Sequence, residues 1–310
     1  MSMKKKVPTV IKDGATGMAI GTAIIVPGIS GGTIALVFGA FKKIVDAVDN
    51  LFTKLFWKNL LILLPFLVGA VISVAALIYP FQQAFKYCLF SIVCLFAGFI
   101  IGSLPSITDQ VKEEKPSVAN IIQLVCGFVV AGIIGVFSVI FDFYGAISSL
   151  FEARHWYLYL IIFVVGVFGS TGLIVPGFSG SMLLMVIGFY QPILNLAHFT
   201  NFWSNMSLLF VFALGVLFGF IIFSKLMNKL ITNHKRATLF VVIGFVLGSL
   251  VSIFINSQMF SYLGIGTDAG FRMKTLDIIL SPILLIVGLT LSLLFVFYTR
   301  KYKGKEDAAN

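Results

Sequence analysis

Charge is scarce in this chain. Asp, Glu, Lys and Arg together make up 11% of its 310 residues, against about a quarter in a soluble domain, which excludes an ordinary solvated globular surface. Acid is scarcer than base, with 12 Asp and Glu against 22 Lys and Arg. The glutamates are Glu113, Glu114, Glu152 and Glu306. All fall in connections or the tail and none forms an E-x-x-x-E pair, so paired acid–base carboxylates are not in evidence. The three histidines, His155, His198 and His234, sit near connections without ligand spacing, and no metal or cofactor is expected. Three cysteines, Cys88, Cys94 and Cys126, lie inside apolar runs at spacings that suit neither metal nor redox chemistry. They read as small membrane-core residues. The basic start, Met1 to Lys12, is not followed by an apolar run ending in a small-residue cleavage site, so no cleavable signal peptide is expected.

What is abundant is apolar: 59% of the chain. The net charge of +10 does not point to nucleic acid, because the basic residues sit in short connections between apolar runs, as in a membrane protein. The expected fold is an all-α polytopic membrane protein. Long runs near 60–79, 87–104, 119–141, 208–226, 239–255 and 278–297 are each suited to a spanning helix. Two further stretches are broken. The first, 15–45, is interrupted at Val26-Pro27-Gly28-Ile29-Ser30-Gly31-Gly32. The second, 156–194, is interrupted at Val175-Pro176-Gly177-Phe178-Ser179-Gly180-Ser181. The halves of the first, Ala15–Val26 and Thr33–Val45, rise only about 20 Å against about 30 Å of hydrocarbon, so that pair reads as a re-entrant hairpin. The first half of the second pair is longer and fits either a re-entrant or a spanning helix.

The chain repeats itself. Thr22, Ile25, Val26, Pro27, Gly28, Ser30, Gly31, Val37 and Gly39 match Thr171, Ile174, Val175, Pro176, Gly177, Ser179, Gly180, Val186 and Gly188 at constant spacing. Gly98-Phe99 and Gly102-Ser103-Leu104 match Gly244-Phe245 and Gly248-Ser249-Leu250 after a small change of offset. Two repeats are expected, 1–141 and 156–300, joined by an outer loop at 142–155 and followed by a tail at 301–310. Each holds one broken pair and three spans. A hairpin returns to its own side, so each repeat crosses an odd number of times and the two have inverted topology. With both termini in the cytoplasm, that side receives Lys4, Lys5, Lys6, Lys12, Lys42, Lys43, Lys54, Lys58, Lys112, Lys115, Lys225, Lys229, Lys235, Arg236 and the basic tail from Arg300. The other side receives Lys86, Arg154, Arg272 and Lys274. This positive-inside bias supports a multi-pass protein of the prokaryotic cytoplasmic membrane with both termini inside.

The breaks are where chemistry is expected. Pro27 and Pro176 remove an N–H, and Gly28 and Gly177 permit tight backbone. The helix after each break starts at Thr33 or Ser181 with Ser30 or Ser179 available as a cap, and presents free N–H groups to an anion. Two such sites brought together by inverted symmetry describe a transporter centre, and the alternative is a pair of structural kinks filled by neighbouring helices. Arg154, at the outer entry to the second pair, is placed either to attract an anionic head group or to set topology. Asp13 and Asp142 lie at span edges, where carboxylates are ordinarily solvated. No acidic residue is placed at mid-membrane, so no coupling ion, proton or sodium, is assigned, and neither is an oligomeric state.

The run Val26-Pro27-Gly28-Ile29-Ser30-Gly31-Gly32-Thr33-Ile34-Ala35-Leu36, preceded by Gly17 and Gly21, resembles the signature of the polyprenyl-phosphate transporter family, long catalogued as a domain of unknown function. Val175-Pro176-Gly177-Phe178-Ser179-Gly180-Ser181 is similar to its partner motif, and the resemblance extends over nearly the whole chain. It implies a flippase that moves undecaprenyl phosphate from the outer to the inner leaflet for cell-wall precursor recycling. It implies head-group contacts at Ser30, Gly31, Gly32, Thr33, Ser179, Gly180 and Ser181, no catalytic set, and membrane lipid as the partner. Two other readings stay open: a transporter of a small soluble anion, and an undecaprenyl-pyrophosphate phosphatase. The phosphatases have a related Pro-Gly-x-Ser-Arg-Ser signature, but Gly31 and Gly180 stand at the arginine position here. Without that arginine and an intramembrane acid, little would stabilise a leaving group.

Overall fold

The computed structural model describes residues 3–26, 31–50, 54–111, 115–173, 180–197, 202–266 and 270–307, and no strand occurs among them. In chain order the helices are α1 (Met3–Ile25), α2 (Gly31–Val37), α3 (Phe41–Asp49), α4 (Phe56–Tyr87), α5 (Leu89–Thr108), α6 (Val118–Ile140) and α7 (Phe143–Ala153). They continue as α8 (Tyr157–Gly169), α9 (Gly180–Val186), α10 (Tyr190–Leu196), α11 (Phe202–Ser252), α12 (Ser257–Leu263) and α13 (Thr275–Asp307). A 3-10 turn, Asp109–Val111, extends α5, and another, Ser170–Leu173, extends α8.

Six stretches are long and apolar enough to cross a bilayer: Phe56–Tyr87, Leu89–Val111, Val118–Ile140, Phe202–Met227, Lys229–Leu263 and Thr275–Tyr298. The chain is an all-α polytopic membrane protein. Phe202–Met227 and most of Lys229–Leu263 lie in α11, whose 51 residues would extend about 76 Å if straight. It reverses at His234, where φ −141° and ψ 44° leave the helical region. Both of its ends therefore reach one end of the bundle. Asn205 shares a cavity with Tyr144, and the Ser257 hydroxyl, just past the other end, accepts from the Tyr144 N–H at 2.8 Å.

The centre is made by α5 and the second arm of α11, whose most apolar stretches are 67% and 50% buried, against 17% or 22% for the other four. Those four present bare Leu, Ile, Val and Phe outward, as on α4 at Leu61, Leu67 and Val71. In water such a surface would be untenable, but against lipid tails it is not.

Helices pair through glycine. The most extensive interfaces join α13 to α5, α11 to α6, α1 to α4, and α11 to α8. At each, a Cβ added to a glycine would overlap the partner's backbone: Gly17 on Phe66, Gly69 on Gly14, Gly166 on Phe212, Gly215 on Phe163, Gly98 on Leu285, Gly288 on Leu95, Gly127 on Val241 and Gly244 on Leu124. With no hydrophobic force between helices in lipid, close backbone approach supplies the association. Contact positions rise together along both chains, so all four pairs run parallel. The contacts also exchange. Gly288 meets Leu95 and Phe99, and Gly127 meets Val241 and Phe245; Phe99 and Phe245 are matched positions. At Gly21 the neighbour across the interface is Ser73, and at Gly219 it is Ser170, so glycine and serine trade places between the α1–α4 and α8–α11 pairs.

Three segments differ from expectation. α1 starts at Met3, so the first arm of the first pair is 23 residues rather than about twelve. The basic stretch before Ala15 does not end the helix, because Lys is a good helix former. Residues 143–153, read as loop, form α7, with the Asp142 carboxylate accepting from the Gly145 N–H at 3.2 Å as its cap. The second arm of each broken pair is itself split, at Gly39 (φ +66°) between α2 and α3 and at Gly188 (φ +80°) between α9 and α10. The left-handed glycine closes each first piece with the same bond, Ala40 N–H to Ala35 C=O and Phe189 N–H to Leu184 C=O, both 2.8 Å.

Candidate functional site

Pro27, Gly28 and Ser30 of the first break, and Pro176, Gly177 and Ser179 of the second, lie outside the described residues, as does the side chain of Thr33. The residues flanking them are described, and they converge. Ile25 and Val26, leading into the first break, share one apolar core with Met182–Val186, which follow the second. α9 sits deep in that core. Met182 is 1% exposed and Val186 0%, and the Ser249 hydroxyl of α11 lies 3.3 Å from the Met182 sulfur. At the start of α10 the Tyr190 hydroxyl donates to the Ile25 carbonyl at 2.6 Å, taking up one carbonyl at the end of α1.

Gly31 and Gly180 are equivalent in sequence but not in space. A Cβ on Gly180 would overlap the Gly169 carbonyl oxygen, whereas on Gly31 it would meet the Ile20 Cγ2 methyl at 3.3 Å and the Ile20 carbonyl oxygen at 3.8 Å. Gly180 thus has a packing role beside any role toward a ligand. Ser181 is buried and Gly32 half-buried.

At the end of the bundle away from the termini lies a cavity of about 560 Å³. Its described lining includes Gln82, Gln83, Gln191, Asn195, Gln258 and Lys86. Two of these amides tie neighbouring helices to α10: Gln82 donates to the Leu194 carbonyl at 3.0 Å, and Gln258 donates to Gln191. Phe85 forms part of the wall and packs on Tyr190 with ring centroids 5.5 Å apart. Arg154 lines a smaller adjoining cavity that shares Gln191 and Asn195. Its guanidinium donates to Asn205 Oδ1 at 2.6 Å, and its backbone, at φ 47°, ends α7.

Sequence reasoning passed over Asp277, which the structure places at 0% exposure on the first turn of α13. Its carboxylate accepts from the Ser91 N–H at 2.9 Å, the Ser91 hydroxyl at 2.6 Å and the Tyr262 hydroxyl at 2.5 Å. It thus caps the start of α5 from another helix, an arrangement without local sequence signal because Ser91 is 186 positions away. Burial pushes the adjacent Cys88 thiol above its ordinary range, the Asp277 charge adds to this, and Lys274 opposes it. Asp13 is also not solvated as expected: it is buried and paired with Lys43 of α3. Among the described residues no group of three His, Cys, Asp or Glu is arranged to hold a metal.

The family model described as VCA0040-like, undecaprenyl phosphate translocase-like, matches residues 20–265. The chain belongs to this family. The match covers both breaks and the central helices α5 and α11. Among curated proteins, the polyprenyl-phosphate transporter of Staphylococcus aureus (strain NCTC 8325 / PS 47) is 29% identical over 242 residues, 77% of this chain and 84% of that protein. The polyprenyl-phosphate transporter of Vibrio cholerae serotype O1 (strain ATCC 39315 / El Tor Inaba N16961) is 26% identical over 259 residues, 79% and 78% of the two. No solved structure matches the chain. The expectation of a transporter rather than an enzyme agrees with the names of the family and of both relatives.

Proposed function

We propose that this protein is a polyprenyl-phosphate transporter that carries the phosphate head of undecaprenyl phosphate from the outer to the inner leaflet, returning the carrier lipid for cell-wall synthesis. The observation that carries the reading is the convergence in one core of residues flanking two sequence-matched breaks, in a chain of this family. Ile25 at the first break is hydrogen-bonded to Tyr190 behind the second. An anionic head resists hydrocarbon while its polyprenyl tail does not, so a carrier need shield only the head. The head-group contacts are Ser30, Gly31, Gly32 and Thr33 with Ser179, Gly180 and Ser181, through backbone N–H groups and hydroxyls. The two halves act as inverted repeats. Supporting this are the parallel pairs α1–α4 and α8–α11 and the exchanged glycine contacts across α5–α13 and α6–α11. Such an arrangement lets one site alternate between leaflets. The termini are cytoplasmic, in keeping with the Lys and Arg bias.

The test is reconstitution in liposomes with labelled undecaprenyl phosphate, following its leaflet distribution. The protein accelerates transfer. Ser30→Ala and Ser179→Ala each weaken head-group binding roughly ten- to hundredfold, the loss of one hydrogen bond to a charged group, while Cys126→Ala does not. Motif variants that behave like Cys126→Ala would make the breaks structural kinks. Phosphate release from undecaprenyl pyrophosphate would reinstate the hydrolase.

A further inference from the structure

The cavity at the end of the bundle away from the termini is lined mainly by carboxamides, with the hydroxyl-bearing Tyr144, Ser261 and Tyr262 beside them. Five carboxamides, Gln82, Gln83, Gln191, Asn195 and Gln258, surround it, and Lys86 is the one charged side chain among the described lining residues. A cation site would carry carboxylates, and a mouth that merely meets water has no need of one functional group repeated on three helices. Carboxamide N–H groups and an ammonium are donors. A phosphate monoester, with acceptor oxygens on every face and up to two negative charges, satisfies that lining. Neutral donors hold such an anion less firmly than a cluster of arginines, which suits a ligand that must move on. The cavity volume is within the range of about 300–1,000 Å³ typical of small-ligand sites.

We propose that this cavity is a distal anion site that takes the phosphate head of a lipid before it reaches the helix breaks. The inference rests on the polyprenyl-phosphate reading above. Phe85 stands between the cavity and the end of α1: it lines the wall, packs on Tyr190, and Tyr190 in turn holds the Ile25 carbonyl. Phe96 completes the aromatic layer, with its ring centroid 6.1 Å from Phe85 and 6.2 Å from Tyr190. A head group held at Lys86 therefore waits on the distal side of that layer. The same amides also tether α10, through Gln82 to Leu194 and Gln258 to Gln191. Each tethering amide keeps a second N–H for a phosphate, so the ligand engages the same side chains that hold α10, a helix joined to α9 at the left-handed Gly188. Head-group binding is thus coupled to the helix that carries Tyr190.

The test is ligand protection. In a background with Cys88→Ala, Cys94→Ala and Cys126→Ala, the exposed rim residue is changed, Asn195→Cys, and its alkylation by a charged maleimide is followed in purified, detergent-solubilised protein. Farnesyl phosphate slows labelling, farnesol does not, and inorganic phosphate does so only at much higher concentration. Lys86 is exposed, so Lys86→Gln leaves the protein folded while raising the farnesyl phosphate needed for protection by about tenfold or more, the loss of a charge-assisted bond. Ser30→Ala and Ser179→Ala leave protection in place, because the distal site does not use them. Absence of protection, equal protection by farnesol, or an unchanged requirement in Lys86→Gln would each overturn the distal site. Equal protection by inorganic phosphate would overturn the lipid as its occupant. Leaflet transfer by the unmodified protein, measured separately, reports on the transport reading itself, so the two failures are told apart.

Discussion

At the scale of single residues, equal positions in the repeat carry unequal loads. Gly31→Ala meets the Ile20 Cγ2 methyl at 3.3 Å, which a shift of a few tenths of an ångström relieves, whereas Gly180→Ala runs into the fixed carbonyl of Gly169. Gly180→Ala is therefore expected to destabilise the protein by about 1–3 kcal/mol, the usual effect of overpacking, and Gly31→Ala by much less. Thermal unfolding of the two purified variants checks this; equal melting temperatures would contradict the packing role given to Gly180. Asp277 makes a second case. Asn keeps one acceptor oxygen for Ser91 but loses the charge that strengthens those bonds, and it turns an N–H₂ group toward the Tyr262 hydroxyl, which must then donate to the Tyr87 carbonyl instead. Asp277→Asn is expected to cost about 1–3 kcal/mol, seen as a lower melting temperature, while the exposed Asp46→Asn leaves it unchanged.

At the scale of elements, the decisive feature is that each broken pair has three pieces. α9 and α10 are seven-residue helices, too short to be stable alone, so tertiary contacts hold them. For α10 these are the Gln82 and Gln258 tethers and the Tyr190–Ile25 bond. Tyr190→Phe keeps the ring packing on Phe85 and Phe96 and removes only the bond. The loss is about 1 kcal/mol, and because the bond joins the two broken pairs, leaflet transfer changes more than global stability does. Transfer rate and melting temperature measured on the same preparation separate the two effects. An unaltered rate would show that the Tyr190 hydroxyl only completes packing.

At the scale of the whole molecule, direction is the question. The structure sets α7, α12 and the start of α13 at one end, with the Arg300–Asp109 ion pair and the bond from Arg236 to the Lys115 carbonyl at the other. With the termini inside, single cysteines at Ser148 or Glu152 of α7 react with an impermeant maleimide in intact cells, and one at Lys115 reacts only after the membrane is opened. Labelling of Lys115→Cys in intact cells would reverse the orientation and, with it, the direction of transport proposed here.

The sequence by itself determined the membrane class, the six spans and the family. Those properties are written locally: hydrocarbon thickness sets the length of an apolar run, and a Pro-Gly-x-Ser-Gly break stands out within one. The left-handed Gly39 and Gly188 were visible as matched positions, yet periodicity alone does not tell a helix that passes through glycine from one that stops there. Only the tertiary structure decided the rest. The burial of Asp13 and Asp277, the close fit at Gly180 and the meeting of five carboxamides around one cavity depend on which distant helices touch. A polar residue in an apolar run has the same local signature whether it faces water, lipid or a partner 186 positions away, as Ser91 does. Its role follows from desolvation and hydrogen bonding, which packing alone assigns.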